Sequence, residues 1–227
     1  MDKYRICYCK FGPARYISHL DLGRALGRSL RRAGLPVAYS QGFHPLPKMA
    51  FGPPLPVGVE SEAEYVDVAF TRELPEAEIA KHLNPSLPPG LQVTGVERLP
   101  AKAPALTAMI DRLSYLFVVE VAEDWNRRNT GDFLRCLWQK KELPVIRKRQ
   151  GREKKVDVRP FWDGYKFSFI EQDLLRIEIE VIFGPQGTLR PDEFRSFFPS
   201  GWRVGKVTRL KAWSTKVFPC GSPVHRR

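Results

Sequence analysis

Long apolar runs are missing from this chain. None approaches the roughly 18 residues that a membrane-spanning helix needs, so no membrane partner is expected. Cysteine is scarce, with four in 227 residues, and histidine equally so, with four. No pair of closely spaced cysteines or histidines has zinc spacing. Walker and Rossmann glycine motifs are absent, and no Ser-His-Asp or Cys-His set follows from spacing. No metal and no cofactor are therefore expected. The opening MDKYRICYCKFG has no apolar stretch ending in small residues, so a signal peptide is not expected and the cytoplasm is the expected location.

What is present is positive charge, unevenly placed. The formal net charge is +12. Residues 140–159 hold nine Lys/Arg against three Asp/Glu, a local +6, and residues 15–32 hold five against one, a local +4. Residues 60–80 run the other way, with one against seven, a local −6. Excess cation concentrated in two places is an electrostatic footprint for a polyanion. The acidic stretch would suit a protein contact.

The length suits one large domain or two small ones, and 43% hydrophobic residues supply a core. Residues 4–11 alternate, with Tyr4, Ile6 and Tyr8 on one side and Arg5, Cys7 and Cys9 on the other, which predicts a strand. Both thiols then face the same way, as ordinary buried or half-buried cysteines. Contact with a metal, a redox partner or a cluster is the alternative. Gly12-Pro13 ends the strand. Ser18 caps a helix that runs to Ala33, with Asp21 in its first turn. Its apolar face is Leu22, Ala25, Leu26, Ser29 and Ala33. Gly23 and Gly27 each cost about 1 kcal/mol against Ala inside a helix; four apart, they admit another backbone or a ligand.

Strands follow at 48–51, 64–70 and 91–99, with a short helix at 75–83 between the last two. A second pass reads a strand at 115–121 and a helix at 130–140, with Cys136 on its apolar face. Strands at 144–160, 164–170 and 174–183 come next, then a helix at 190–198 capped by Thr188 or Pro191 and a strand at 202–213. Both halves follow β-α-β-β-α-β, so the expected class is α+β, as two tandem ferredoxin-like domains. They would span 1–100 and 114–213, with a linker at 101–113 and a flexible tail at 214–227 that holds Cys220.

The stretch RYISHLDLGRALGRSLRRAGLPVAYSQGFHPLPKMAFGPPLPVGVESEAEYVDV resembles the start of the bacterial radical-SAM-linked proteins, a domain-of-unknown-function family. LPVIRKRQGREKKVDVRPF resembles that family's basic hairpin. The resemblance covers most of residues 1–215 and implies a radical SAM enzyme as partner. This chain has no CxxxCxxC cluster motif and is not itself that enzyme. More loosely, a tandem ferredoxin-like pair with a helix-start histidine is similar to the RAMP-superfamily endoribonucleases that process CRISPR repeats. That likeness implies a cleavage role for His19. Those proteins carry a late glycine-rich loop, and FPSGWRVG at 198–205 is only a thin echo of it.

Two constellations carry the binding argument. One is the helix and the loop after it: Arg15, His19, Arg24, Arg28, Arg31 and Arg32, then Gln41, His44 and Lys48. Such loops usually carry function rather than packing. The expectation is that Arg15, His19, Gln41, His44 and Lys48 line one pocket. The other is a basic β-hairpin turning at Gln150-Gly151, with Arg147, Lys148, Arg149, Arg152, Lys154, Lys155 and Arg159. Arginine gives bidentate phosphate contacts and lysine a point charge. Tyr39, Phe43 and Trp162 are candidates to stack on bases. Together these predict a non-catalytic module that binds RNA, tRNA or rRNA; that it presents this RNA to a separate radical SAM enzyme is what the resemblance alone implies. The alternatives are a metal-independent endoribonuclease using His19 and a protein-docking subunit that touches no RNA.

Overall fold

The computed structural model describes residues 1–149 and 151–215, Arg149 by its backbone alone. Gln150 of the expected turn and Cys220 of the expected tail lie outside the described residues. The chain is α+β, and it divides into two compact units: Met1–Asp111 with the stretch from Arg209 onward, and Arg112–Thr208.

The first unit opens with β1 (Asp2–Lys10) and a 3-10 turn (Gly12–Tyr16), followed by α1 (His19–Arg32), β2 (Met49–Phe51) and β3 (Glu60–Phe70). Then come α2 (Glu76–Leu83), β4 (Leu91–Leu99) and a helical turn, α3 (Leu106–Met109). Its strands lie in the order β4-β1-β3-β2, every pair antiparallel. The alternation of β1 sets the layers. Tyr4, Ile6 and Tyr8 enter a core with Leu22, Leu26 and Leu30 of α1 and Ile79 and Leu83 of α2. Each such side chain contributes about 1.5–3 kcal/mol on full burial. Tyr4 also closes its polar end, donating its hydroxyl to the Leu74 carbonyl at 2.8 Å and accepting the Leu74 N–H at 3.0 Å. The opposite residue, Arg5, is fully buried and grips both Asp67 oxygens at 2.8 and 2.9 Å. A positive φ of 86° belongs to Gly90, where a Cβ would stand 2.2 Å from the Phe11 carbonyl oxygen.

Burial revises the acidic stretch 60–80. β3 begins at Glu60 rather than near 64, and Glu60 and Glu64 are buried. With Asp67 committed to Arg5, three of its carboxylates are internal partners rather than surface charge. A count of charge cannot see which way a strand points its side chains. Residues 100–113 contain α3, and Leu106, Met109 and Ile110 are buried there.

The second unit contains β5 (Arg112–Glu120), α4 (Arg127–Gln139), β6 (Pro144–Arg149), β7 (Arg152–Asp157), β8 (Trp162–Phe169) and β9 (Leu174–Gly184). It continues through β10 (Gly187–Thr188) and α5 (Pro191–Arg195) into β11 (Arg203–Trp213), whose residues from Arg209 count with the first unit. β9 pairs antiparallel with β5, β8 and β10, while β6 and β7 pair with each other. Leu175, Ile177, Ile179 and Val181 of β9 have no exposed surface, nor do Phe117 and Val119 of β5.

Three local readings change. α4 starts three residues earlier than 130, because Asn126 and Asn129 form a reciprocal capping box. Cys136 is exposed; it lies off the stripe of Thr130, Leu134 and Leu137 that α4 buries. The last helix shrinks to Pro191–Arg195, and neither Thr188 nor Pro191 caps it: Arg190 occupies the cap position, its N–H held by Glu193 at 2.9 Å. No helix among the described residues is long and apolar enough to cross a membrane.

Candidate nucleic-acid interface

Helix α1 is built from its cap upward. The Ser18 hydroxyl accepts the Asp21 N–H at 3.2 Å and donates to the Asp21 carboxylate at 2.8 Å. That hydrogen bond, helped by Arg24 at 3.1 Å, holds the Asp21 carboxyl below the usual carboxylate range. The glycine stripe is covered. A Cβ at Gly23 would lie 3.8 Å from the Phe51 ring, and one at Gly27 only 3.3 Å from Pro47. The close approach read from the sequence is therefore made by side chains of this chain itself. Since residue 51 meets 23 and residue 47 meets 27, the segment runs antiparallel to α1. His19 sits edge-on to Phe51 with ring centroids 5.1 Å apart. What α1 turns outward is Arg24, Arg28, Arg31 and Arg32, all exposed.

The loop after α1 is pinned at its base. Ser40 and Leu46 exchange two hydrogen bonds: the Ser40 N–H donates to the Leu46 carbonyl at 2.9 Å, and the Ser40 hydroxyl accepts the Leu46 N–H at 3.0 Å. Tyr39 bridges to Pro47 just outside them. The tip, residues 41–45, is exposed throughout, and Phe43 at 102% exposure touches nothing that hides it. The cavity that His19 lines does not bring the five residues together. Arg15 leans on Glu60 at 3.6 Å and on the Tyr16 hydroxyl at 2.8 Å. Lys48 is exposed beside Met1, and the cavity that His19 lines includes neither of them, nor Gln41 or His44.

In the second unit, β6 and β7 pair along their whole lengths as the two strands of the basic hairpin. Cross-strand pairing puts Val145 and Val156 on the same face as Arg147 and Lys154. Val145 is buried, so this face packs inward at the base of the hairpin, while Lys154 farther along it is exposed. Arg147 accordingly binds Glu193 through two bonds of 2.6 and 2.9 Å and the Thr188 carbonyl at 2.7 Å. The Glu193 bonds raise its pKa further, against the cost of burial. Arg159 stacks over Trp138, 4.3 Å from the ring centroid, and donates to the Trp138 and Trp162 carbonyls. Arg147 and Arg159 are thus internal anchors. Lys148 pairs with Glu153 at 2.8 Å in the open. Arg152, Lys154 and Lys155 are exposed and have no side-chain bond among the described residues; the Arg149 side chain lies outside them. Trp162 is 2% exposed and unavailable for stacking, whereas Phe43 is fully available and Tyr39 half-buried.

The sequence reading missed a buried charged cluster in the first unit. Arg209 is 1% exposed and donates to Glu64 at 2.8 Å and to the carbonyls of Pro53 and Pro54, each at 2.9 Å. The Ser61 hydroxyl donates to the same Glu64 oxygen at 2.7 Å. Lys10, also 1% exposed, donates to the Ile17 carbonyl at 2.8 Å. Burial lowers the pKa of Lys10, opposed by Glu64, and burial pushes that of Tyr8 well up. Tyr8, Lys10, Glu64, Phe51 and His19 wall a cavity of about 10 Å³, room for about one water. The one signal in the sequence is that Glu64 stands among Ala63, Tyr65 and Val66. Cys7 lies half-buried on the other face of β1, and burial pushes its thiol up to about 12. Among the described residues no group of His, Cys, Asp or Glu is placed to hold a metal ion.

Comparison with known proteins gives a family and a fold. The model of the family described as "Uncharacterized protein conserved in bacteria (DUF2344)" matches residues 3–191. No curated protein sequence matches the chain. Among solved structures, a chain of a Cbf5-Nop10-Gar1 complex is similar with a TM-score of 0.51 at 10% identity, over 94% of this chain and 50% of that one. A chain of an H/ACA RNP bound to a substrate RNA containing 2'-deoxyuridine gives 0.43 at 11%, over 92% and 49%. An unknown protein from Galdieria sulphuraria gives 0.26 at 12%, over 92% and 98%. This chain spans about half the length of the first two, and at 10% identity the likeness to the first concerns the fold alone.

Proposed function

We propose that this chain, which belongs to the bacterial family DUF2344, is a non-catalytic RNA-binding module that presents tRNA or rRNA to a separate radical SAM enzyme. One observation carries the RNA half: α1 turns four exposed arginines outward, Arg24, Arg28, Arg31 and Arg32, with one carboxylate, Asp21, among them. Arginine on a regular face meets phosphates at helical spacing and gains by releasing their counterions. Arg152, Lys154 and Lys155 give a second, separate footprint on the hairpin, and Phe43 offers an exposed ring to an unpaired base. The radical SAM partner rests on the sequence resemblance. In this reading residues 1–100 and 114–213 are two domains joined by 101–113, and the protein works in the cytoplasm.

The test is RNA binding by fluorescence anisotropy across a salt series. The expected result is an affinity that falls linearly on a log–log plot against salt. Changing Arg24, Arg28 and Arg31 together to Glu should weaken binding at least tenfold, about 1.4 kcal/mol, and flatten that slope. Binding that ignores salt, or survives the triple change in a folded protein, would sink the reading.

A second reading has one observation in its favour. His19 is exposed at the first residue of α1 and borders the cavity that holds Lys10, Tyr8 and Glu64. Those groups would suit metal-independent RNA cleavage. Defined products from purified wild type, lost in His19→Ala with RNA binding kept, would replace the first reading with this one.

A further inference from the structure

Beside α1 lies a groove of about 340 Å³, lined by Ile17, Asp21, Ala25, Arg28, Arg32 and Pro88. Its volume falls within the usual range for small-ligand sites. The four helix residues follow one another at spacings of four, three and four, so they form a single stripe along α1. The opposite wall is fixed by polar bonds. The Asn84 amide holds Val93 through its carbonyl and its NH2 group, at 2.8 and 3.3 Å. Arg32 then ties the helix to this turn, donating to the Ser86 carbonyl at 2.5 Å and to the Ser29 hydroxyl at 3.3 Å. One guanidinium nitrogen is thereby occupied, and Arg32, exposed, keeps its other donors for a ligand.

The groove has a chemical direction. At one end stand two arginines, and Arg28 has no side-chain bond among the described residues. Its floor is apolar: Ala25 is buried, and Ile17 and Pro88 are half-buried. At the other end stands Asp21, whose two oxygens take one bond each, from Arg24 and from the Ser18 hydroxyl. A carboxylate offers about four acceptor sites, so Asp21 has acceptor capacity left. Asp21 and Arg28 are seven residues apart, roughly 10 Å along the helix. That is close to the reach of one nucleotide from phosphate to base.

We propose that this groove seats one unstacked nucleotide of the bound RNA, its phosphate on Arg28 and Arg32, its base on Ile17, Ala25 and Pro88, and its exocyclic amino group donating to Asp21. The inference rests on the RNA-binding reading and sharpens it. The charge order rules on orientation: the phosphate is drawn to the arginine end and repelled from Asp21. It also selects the base. Adenine, guanine and cytosine present an amino group with two N–H donors, whereas uracil offers Asp21 only its single N3–H, flanked by two carbonyl oxygens that the carboxylate repels. Because the Asp21 carboxyl is held below its usual range, it is an acceptor only at neutral pH.

The experiment is an NMR titration of the full chain at low salt with AMP, GMP, CMP, UMP and inorganic phosphate, followed at the amides of Ile17, Asp21 and Arg28. AMP, GMP and CMP should move these signals at affinities at least fivefold tighter than UMP or phosphate. Arg28→Ala should weaken all of the nucleotides. Asp21→Asn, whose amide both donates and accepts, should abolish the preference against UMP while leaving its fold and cap intact by circular dichroism. Phosphate binding as tightly as AMP would overturn the proposal in favour of a bare anion site. Unmoved groove signals, with salt-dependent RNA binding retained, would overturn it and leave the RNA reading standing. Nucleotides bound in the groove by a chain that does not bind RNA would overturn both.

Discussion

Arg209 and Glu64 meet at 2.8 Å with 1% and 6% of their side chains exposed, across 145 residues of sequence. The pair is fully seated: Arg209 also caps the Pro53 and Pro54 carbonyls, and Ser61 donates to Glu64. Removing one partner leaves the other charge buried and unpaired, which typically costs about 3–5 kcal/mol. Arg209→Met should therefore lower stability by that order in urea unfolding. The double change to Arg209→Met with Glu64→Leu should recover part of the loss. A single variant as stable as wild type would show that this pair does not help to hold the first unit.

The two glycines of α1 separate two effects that propensity alone would merge. Either Gly→Ala change gains up to about 1 kcal/mol of helix propensity. At Gly23 the new methyl meets Phe51 at 3.8 Å, an ordinary contact, so Gly23→Ala should raise the melting temperature. At Gly27 it meets Pro47 at 3.3 Å, so the ring must give way and the gain should shrink or reverse. Equal gains at both positions would mean that Pro47 does not press on the helix.

How much of this was legible in the sequence depends on reach. The alternation of Tyr4, Ile6 and Tyr8 and the cap at Ser18 are local, and the structure keeps both. The α+β class follows from such local patterns in succession. Gly23 and Gly27 announced a close approach but not what makes it, because residues 47–51 return along the helix only in three dimensions. Charge counts misled where burial decides. Glu60 and Glu64 belong to an acidic stretch by composition and to the interior by register. Arg147 belongs to a basic hairpin by composition, yet it is held by Glu193, 46 residues on. Of the candidate site, the outward arginines of α1 were visible, whereas the groove against Pro88 depends on a turn 54 residues from Arg32.

The thiols should separate by reactivity and pH. Cys136 is exposed, whereas burial raises Cys7 to about 12 from 9.0. In a Cys220→Ser background at pH 8, Cys136 should react with an aromatic disulfide reagent at once, and Cys7 only on unfolding. The sign of the linkage follows. A group whose pKa is raised on folding stabilises the protein below its unfolded pKa and loses that contribution as pH climbs toward the folded one. Wild type should therefore lose stability relative to Cys7→Ala between about pH 9 and pH 12. Fast modification of Cys7 in the folded protein would contradict its burial.

Phe43 is the sharpest single test of the interface. It is fully exposed at the tip of a loop whose base is closed by Ser40 and Leu46. A side chain that packs against nothing contributes little to the folded state, so Phe43→Ala should leave the melting temperature within error. A ring used for stacking contributes about 1–3 kcal/mol per base. The same change should then weaken RNA binding by roughly 5- to 150-fold without altering the salt slope, because no phosphate contact is lost. Phe43→Trp should keep or strengthen binding, since any flat ring stacks. The opposite pattern, a flatter slope with Phe43→Ala, would mean that the loop orders the arginines of α1 rather than touching a base. Unchanged affinity with both variants would remove the loop from the interface and leave binding to the charges alone.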